Sequence, residues 1–334
     1  MLRLPKMDHC APRSLAEACS LLEQHGSEAR VLAGGTDLLA ACKLRNLQPA
    51  LLVSLRGIEE LRGIEFREGE GLRIGAMTRL NHLRYEPSLL KHYPALAQAA
   101  ASVGATQLQF MGTLGGNLCL DTRCFYYNQS KTWRKSRAVC LKMGGEVCHV
   151  VPKGGRCYAV FSADTVPALI ALDGKARLVS TAGEREVSLG ELYTGDGKKP
   201  IALRPGELVR EVRIPPATGK QSSVYLKYRK REAIDFPLVG VAVRMDSNGD
   251  GICTECKVVL NAVGSAPLEV PEARELLKGK RPTAELVEEV SKSAEKHAHP
   301  VDNTAGSPPS YRRKMAGILT RRALEEVAGR IGIK

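Results

Sequence analysis

The spacing of hydrophobic positions predicts short strands alternating with helices in the first part of the chain. Over residues 14–26, leucine and alanine recur on one face, and Ser14 and Glu17 are spaced as a capping box, so we expect an amphipathic helix. A short apolar run over 30–33 then meets two glycines and the start of another helix. This order of strand, tight turn and helix is typical of an α/β subdomain.

The second half of the chain shows a different order of elements. Residues 215–220 are rich in proline and glycine, which is typical of a linker between domains. Beyond them we predict strands at 223–229, 238–245 and 252–263, and a final helix over 310–331. The whole pattern predicts the α+β class.

Composition narrows the class of protein. The chain has 334 residues, 43% of them hydrophobic, and no apolar run approaches the roughly 20 residues of a spanning helix. The N-terminus lacks the apolar core of a secretory signal, so we expect a cytoplasmic protein without a membrane span. In a reducing compartment, ten cysteines favour metal or redox chemistry over disulfides.

The net charge of +13 fits an acidic protein partner, an anionic cofactor or simply a solvated basic surface. Nucleic acid is disfavoured, because the sequence carries no recognisable binding motif and only 4% aromatic residues for base stacking. Seven of the basic residues fall between positions 131 and 156, beside one acidic residue, and predict a docking surface for an acidic donor or a merely solubilising loop. They are Lys131, Arg134, Lys135, Arg137, Lys142, Lys153 and Arg156.

Two glycine loops are candidate sites for an anion. Adjacent glycines at Ala33–Asp37 and again at 112–117 let the backbone turn sharply and approach a ligand, and exposed N–H groups at such turns bind phosphate. Either loop alone is more often a simple turn. Two of them, about 80 residues apart, favour a dinucleotide clamped from two segments.

A segment with little periodicity follows the second loop. It holds Cys124, Cys140, Cys148 and Cys157, at steps of 16, 8 and 9 residues. Four thiolates suffice for a structural zinc site or for an iron–sulfur cluster, and unliganded surface cysteines are the third alternative. No nucleophile–base pair stands out along the chain, so we expect no catalytic residue.

Taken together, these motifs resemble the FAD subunits of the xanthine dehydrogenase and carbon monoxide dehydrogenase family of molybdenum hydroxylases, over nearly the whole chain. The resemblance implies a PCMH-type FAD-binding domain made of two α/β subdomains, at 1–57 and 58–215. A C-terminal α+β domain of the CO dehydrogenase flavoprotein type would follow at 218–330. FAD would lie in the cleft between the first two.

The resemblance also implies which residues bind FAD. The two glycine loops would hold the pyrophosphate, residues 74–78 would lie on the adenine side, Asp164 on the ribityl chain and Lys227 near the isoalloxazine edge. The implied set is Leu32, Ala33, Gly34, Gly35, Thr36, Asp37, Ile74, Thr78, Thr113, Gly115, Gly116, Asn117, Asp164 and Lys227.

One departure from the family pattern is an insertion of roughly 40 residues, at about 118–160. The words around its cysteines, including Cys148-His-Val150 and Arg156-Cys-Tyr158, resemble the medium subunits of 4-hydroxybenzoyl-CoA reductases. That resemblance implies a [4Fe–4S] cluster on Cys124, Cys140, Cys148 and Cys157.

The implied function is electron transfer in an oxidoreductase. Electrons would pass between a donor such as ferredoxin, the [4Fe–4S] cluster, FAD, [2Fe–2S] clusters on a small partner subunit and a molybdenum cofactor on a large one. The assembly would be a dimer of heterotrimers. Its reaction would be reductive dehydroxylation to benzoyl-CoA in anaerobic aromatic degradation. The alternatives are a molybdenum hydroxylase of N-heterocycles or aldehydes, and a zinc-stabilised flavin-binding scaffold.

Overall fold

The computed structural model describes residues 2–217, 220–304 and 307–332. Its strands form three sheets, and each sheet draws on one continuous stretch of the chain. The strands are β1 (Asp8–Cys10), β2 (Ala29–Leu32), β3 (Leu51–Ser54), β4 (Ile64–Arg67), β5 (Gly71–Gly75), β6 (Lys175–Ser180), β7 (Gly183–Ser188), β8 (Leu208–Ile214), β9 (Lys220–Tyr228), β10 (Val239–Ser247), β11 (Cys253–Asn261) and β12 (Leu268–Glu269). The helices are α1 (Leu15–His25), α2 (Leu38–Lys43), α3 (Leu80–Tyr85), α4 (Pro87–His92), α5 (Pro94–Ser102), α6 (Thr106–Met111), α7 (Leu114–Leu118), α8 (Lys131–Lys135), α9 (Thr165–Ala171), α10 (Glu272–Leu277), α11 (Ala284–His297) and α12 (Pro309–Arg330).

The first sheet is small and parallel, in the order β1-β3-β2. Helix α1 covers it with the apolar face that the periodicity predicted, and the Ser14 side chain accepts a hydrogen bond from the Glu17 N–H, which confirms the predicted helix start. The first glycine loop leaves the carboxyl end of β2 and leads into α2. Ligands of parallel sheets bind at this edge, so the loop is placed where a nucleotide could reach it.

The second sheet is antiparallel, in the order β4-β5-β8-β6-β7. Helices α5 and α9 pack with it into the first hydrophobic core, where Leu96, Leu169 and Val212 are fully buried. The cysteine-containing segment lies between α7 and α9. Its one α-helix is the short helix α8. The insertion is therefore stabilised by contacts with the rest of the chain rather than by its own secondary structure.

The third sheet is antiparallel, in the order β12-β11-β10-β9, and helices α11 and α12 pack against each other beside it. The fully buried Arg312 ties α12 to this unit, because its guanidinium donates to the backbone oxygens of Leu238, Val301 and Ala262. Three buried carbonyl acceptors satisfy a charged side chain that would otherwise be costly to bury. Among the described helices, none is long and apolar enough to span a membrane.

Candidate functional site

The first glycine loop is built to present its backbone. A Cβ on Gly34 would lie 2.1 Å from the backbone oxygen of Met111, so no side chain fits there. Gly35 has φ +73°, in the left-handed region that glycine tolerates best. Within the described residues, the N–H groups of residues 34–37 donate to no other protein group. Free amides on one such turn can bind an anion such as a pyrophosphate.

The second loop packs beside the first and is fixed by its own hydrogen bonds. Thr113 caps α7, and its hydroxyl accepts from the Gly116 N–H at 3.1 Å. The Leu114 N–H donates to the Thr78 oxygen at 2.9 Å. The position of a Cβ on Gly116 would be 3.7 Å from the Ala33 Cβ. The structure thus brings together three of the segments that the sequence singled out.

Two other sequence candidates have structural roles within this arrangement. The Ile74 side chain is fully buried in the first core. Asn117 is also buried, and its Oδ1 accepts from both the N–H and the hydroxyl of Thr165, at 3.2 and 2.6 Å. Asn117 therefore fixes the start of α9 next to Asp164.

Asp164 and Lys227 form a buried ion pair at 2.9 Å, with both side chains only 4% exposed. The Lys227 Nζ donates in addition to the backbone oxygens of Ser102 and Asp235, at 2.8 and 3.0 Å. The Tyr225 hydroxyl donates to the other Asp164 oxygen at 2.7 Å. Burial raises the pKa of Asp164 and lowers that of Lys227, while their attraction opposes both shifts. All three ammonium hydrogens of Lys227 are thus used within the protein.

The four cysteines of the insertion line one small pocket, with a cavity volume of about 20 Å³, together with Tyr127, Lys142 and His149. Cys148 and Cys157 are buried, and burial raises the pKa of the Cys124 thiol to about 11. Among the described residues, however, no three Cys, His, Asp or Glu side chains approach closely enough to share a single metal ion. The four cysteines thus share one small pocket.

A glycine pair shapes the loop between the second and third of these cysteines. Gly144 has φ +96°, and a Cβ on Gly145 would lie 1.8 Å from the Val139 backbone oxygen. The turn allows Cys140 to form a β-bridge with Val147, the residue before Cys148. The turn at this glycine pair therefore brings Cys140 close to the segment that contains Cys148.

Two arginines, Arg123 and Arg134, join the insertion to the segment that contains the first glycine loop and α2. Arg134 points inward and donates to the backbone oxygens of Leu44 and Arg45, just beyond the end of α2, at 3.2 and 3.0 Å. Arg123, immediately before Cys124, pairs with Asp37 at 3.0 Å. Neither contact follows a sequence period, because both join segments more than 80 residues apart.

An aromatic cluster covers the outside of the insertion. Phe125 and Trp133 meet edge to face, with their ring centroids 5.7 Å apart, and Tyr126 lies against both Trp133 and His149. Phe125 is 44% exposed, and the Arg137 guanidinium lies over the Trp133 ring at 4.2 Å. The cysteine pocket is thus flanked by a surface that is both aromatic and basic.

The free amides of the first loop and the close contacts at its glycines fit a nucleotide-binding site. Residues 5–217 match the FAD binding domain of molybdopterin dehydrogenases, and residues 224–327 match the CO dehydrogenase flavoprotein C-terminal domain. The chain therefore belongs to the FAD-binding, electron-transferring subunits of molybdenum hydroxylases. The predicted fold class is confirmed, as are the predicted cofactor FAD and the assignment as an oxidoreductase subunit.

Known relatives match most of the length of the chain. The carbon monoxide dehydrogenase medium chain of Afipia carboxidovorans is 31% identical over 325 residues, which cover 97% of each chain. The aldehyde oxidoreductase FAD-binding subunit PaoB of Escherichia coli is 33% identical over 267 residues, covering 77% of this chain and 81% of that protein. In the carbon monoxide dehydrogenase structure from Hydrogenophaga pseudoflava, one chain superposes with a TM-score of 0.81 at 28% identity, covering 98% of this chain and 99% of that one.

Proposed function

We propose that this chain is the FAD and [4Fe–4S] subunit of a 4-hydroxybenzoyl-CoA reductase, relaying electrons between an external donor and partner subunits. The observation that carries the proposal is the single pocket lined by Cys124, Cys140, Cys148 and Cys157. The words around these cysteines support the choice of enzyme. An aldehyde or N-heterocycle hydroxylase with the same electron module is the second candidate, favoured by the aldehyde oxidoreductase relative.

The residues of the flavin site fit FAD. The unpaired amides of residues 34–37 would hold the pyrophosphate, and the absence of a side chain at Gly34 lets the two loops touch. Asp164 and Lys227 would lie along the ribityl chain and isoalloxazine ring. When bound, FAD exchanges electrons one or two at a time. The protein holds it, orients it and surrounds it with fixed charges.

The sequence around the cysteines favours a cluster over zinc, because it resembles the medium subunits of 4-hydroxybenzoyl-CoA reductases. Thiolates on one zinc ion lie about 2.3 Å from it, so their sulfurs must crowd around a point. A [4Fe–4S] cluster takes each thiolate on a different iron, so its ligands surround a volume. The four cysteines line one small pocket, which meets the ligand count of either group and does not separate the two arrangements. The choice of the cluster therefore rests on the resemblance of the surrounding sequence.

The insertion and the flavin loop are joined by the chain's own residues. Arg123 precedes Cys124 and pairs with Asp37 of the flavin loop, and Arg134 binds the backbone just beyond α2. This arrangement supports an electron-transfer role, because tunnelling needs the two redox groups close and rigidly placed. Small [2Fe–2S] and large molybdenum subunits would complete a heterotrimer, assembled as a dimer of heterotrimers.

Replacing Cys140 with serine is expected to remove the cluster while FAD stays bound, since the flavin loops lie outside the insertion. Wild-type protein should carry about four iron atoms per chain in this pocket, with broad visible absorbance that bleaches on reduction. Cys140→Ser should lose this iron, measured by metal analysis and the visible spectrum. Cys119→Ser is the matched control, because Cys119 is exposed, and Cys119 does not line the pocket. Zinc in place of iron in wild-type protein would contradict the cluster.

The enzyme assignment is tested on the assembled complex. With a low-potential electron donor, it should convert 4-hydroxybenzoyl-CoA to benzoyl-CoA. Oxidation of an aldehyde or an N-heterocycle, without activity on the CoA thioester, would decide for the second candidate. Neither outcome depends on how the cluster is bound, so the two parts of the proposal are tested separately.

An acidic donor such as ferredoxin would dock on the aromatic and basic surface of the insertion. Reversing the charges of exposed Lys135 and Arg137 to glutamate should slow reduction by ferredoxin roughly tenfold at low salt, because complementary charge speeds encounter. Stopped-flow reduction measures the rate, and reduction by a small neutral dye should not change. Lys292→Glu, at an exposed position of α11, is the control. Equal slowing of both donors would exclude this surface as the entry site.

A further inference from the structure

Lys142 is a buried cation in the lining of the cysteine pocket. Its side chain is only 6% exposed, and it follows Cys140 by two residues. The Lys142 Nζ donates to the Asp121 carboxylate at 2.7 Å, to the Thr122 hydroxyl at 2.6 Å and to the Gly197 oxygen at 2.7 Å. It also lies 4.8 Å from the centroid of the Tyr127 ring. These contacts hold the ammonium in one position.

The carboxylate of Asp121, which balances the charge of Lys142, is more exposed to solvent than the lysine. Asp121 is 36% exposed and is not among the residues that line the pocket, whereas Lys142 is. Solvent therefore screens the carboxylate more than the ammonium. The ion pair is neutral as a whole, but its lysine lines the cysteine pocket and its carboxylate does not.

The charge of the Lys142 ammonium affects the reduction of a cluster bound by the four cysteines. Four thiolates around iron carry net negative charge, and each added electron increases it. Charges interact more strongly in a partly buried site than in water, because the surroundings respond less to them. A fixed ammonium therefore stabilises the state with the extra electron.

We propose that Lys142 is a positioning residue that raises the one-electron reduction potential of the cluster, with Asp121 partly opposing it. The inference rests on the proposed [4Fe–4S] function of the four cysteines. The charges of Lys142 and Asp121, together with the cysteine ligands, then determine the reduction potential of the cluster.

The test is a redox titration of the intact subunit with dithionite, which supplies the electron, followed by electron paramagnetic resonance of the reduced cluster. Lys142→Met keeps the length of the side chain and removes its charge. It should lower the equilibrium constant for reduction by about tenfold, equivalent to about 59 mV for one electron. Asp121→Asn removes the opposing charge and should raise the same constant, by about threefold.

The opposite signs separate electrostatics from structure, because damage to the fold would not raise the potential in one variant and lower it in the other. Unchanged potentials in both variants, or shifts of the same sign, would overturn the inference. If Lys142→Met fails to hold iron, Asp121→Asn alone decides: a raised potential supports the inference and an unchanged one overturns it. Absence of iron from wild-type protein would instead refute the proposed function, so the two failures are distinguishable.

Discussion

Gly34→Val is expected to weaken FAD binding by roughly a hundredfold, which corresponds to about 3 kcal/mol. A Cβ on Gly34 would lie 2.1 Å from the Met111 oxygen and 3.0 Å from the Gly112 Cα. Both obstacles are backbone, so they cannot rotate away as a side chain would. The two loops would have to separate, which displaces the free amides of residues 34–37.

Fluorescence titration of the flavin-free protein measures this affinity, and thermal unfolding of the same protein shows whether the fold survives. Gly329→Ala is the control, because a Cβ there meets no atom within 4 Å. Gly116→Ala should have a smaller effect, since its Cβ would meet the Thr113 hydroxyl at 3.0 Å. Near-normal FAD affinity in a folded Gly34→Val protein would contradict the contact between the loops.

Most regular elements of the fold could be predicted from the sequence, because each has a repeating apolar face. Helix α1 was expected over 14–26 and runs over Leu15–His25, and the last helix was expected over 310–331 and runs over Pro309–Arg330. The glycine loops were also visible: either pair alone is more often a simple turn, but two of them favoured a ligand clamped from two segments. The sequence pattern was sufficient for elements that form between residues close together in the chain.

The insertion shows where local pattern fails. Its basic residues were counted as one surface, but the structure turns two of them inward: Arg134 binds backbone oxygens near α2, and Lys142 lines the cysteine pocket. Both find partners distant in sequence, such as Gly197 for Lys142. No periodicity records such contacts, so a buried arginine or lysine cannot be told from a solvated one without the fold.

Lys227 was expected near the flavin edge, and that placement stays a prediction, but its burial adds a consequence for stability. Lys227→Ala is expected to lower the free energy of unfolding by about 3–5 kcal/mol, because it leaves the Asp164 carboxylate buried without its cation. Both side chains are 4% exposed, so water cannot replace the lost partner. Urea unfolding of the flavin-free protein measures the change. Lys257→Ala is the control, since its pair with Asp173 is partly exposed and should contribute less than about 1 kcal/mol.

The pH dependence of the stability lost in Lys227→Ala shows whether charge or packing is responsible. Burial already raises the pKa of Asp164, and loss of Lys227 removes the attraction that opposes the rise. A carboxyl with a raised folded-state pKa contributes stability below its unfolded pKa and loses it as pH rises through the folded pKa. The deficit of Lys227→Ala should therefore be smaller at about pH 5 than at about pH 8. Adding Asp164→Asn should recover much of the loss, because the amide can be buried without charge. A deficit that is independent of pH and unrelieved by the second substitution would mean that Lys227 stabilises the protein by packing and not by its charge.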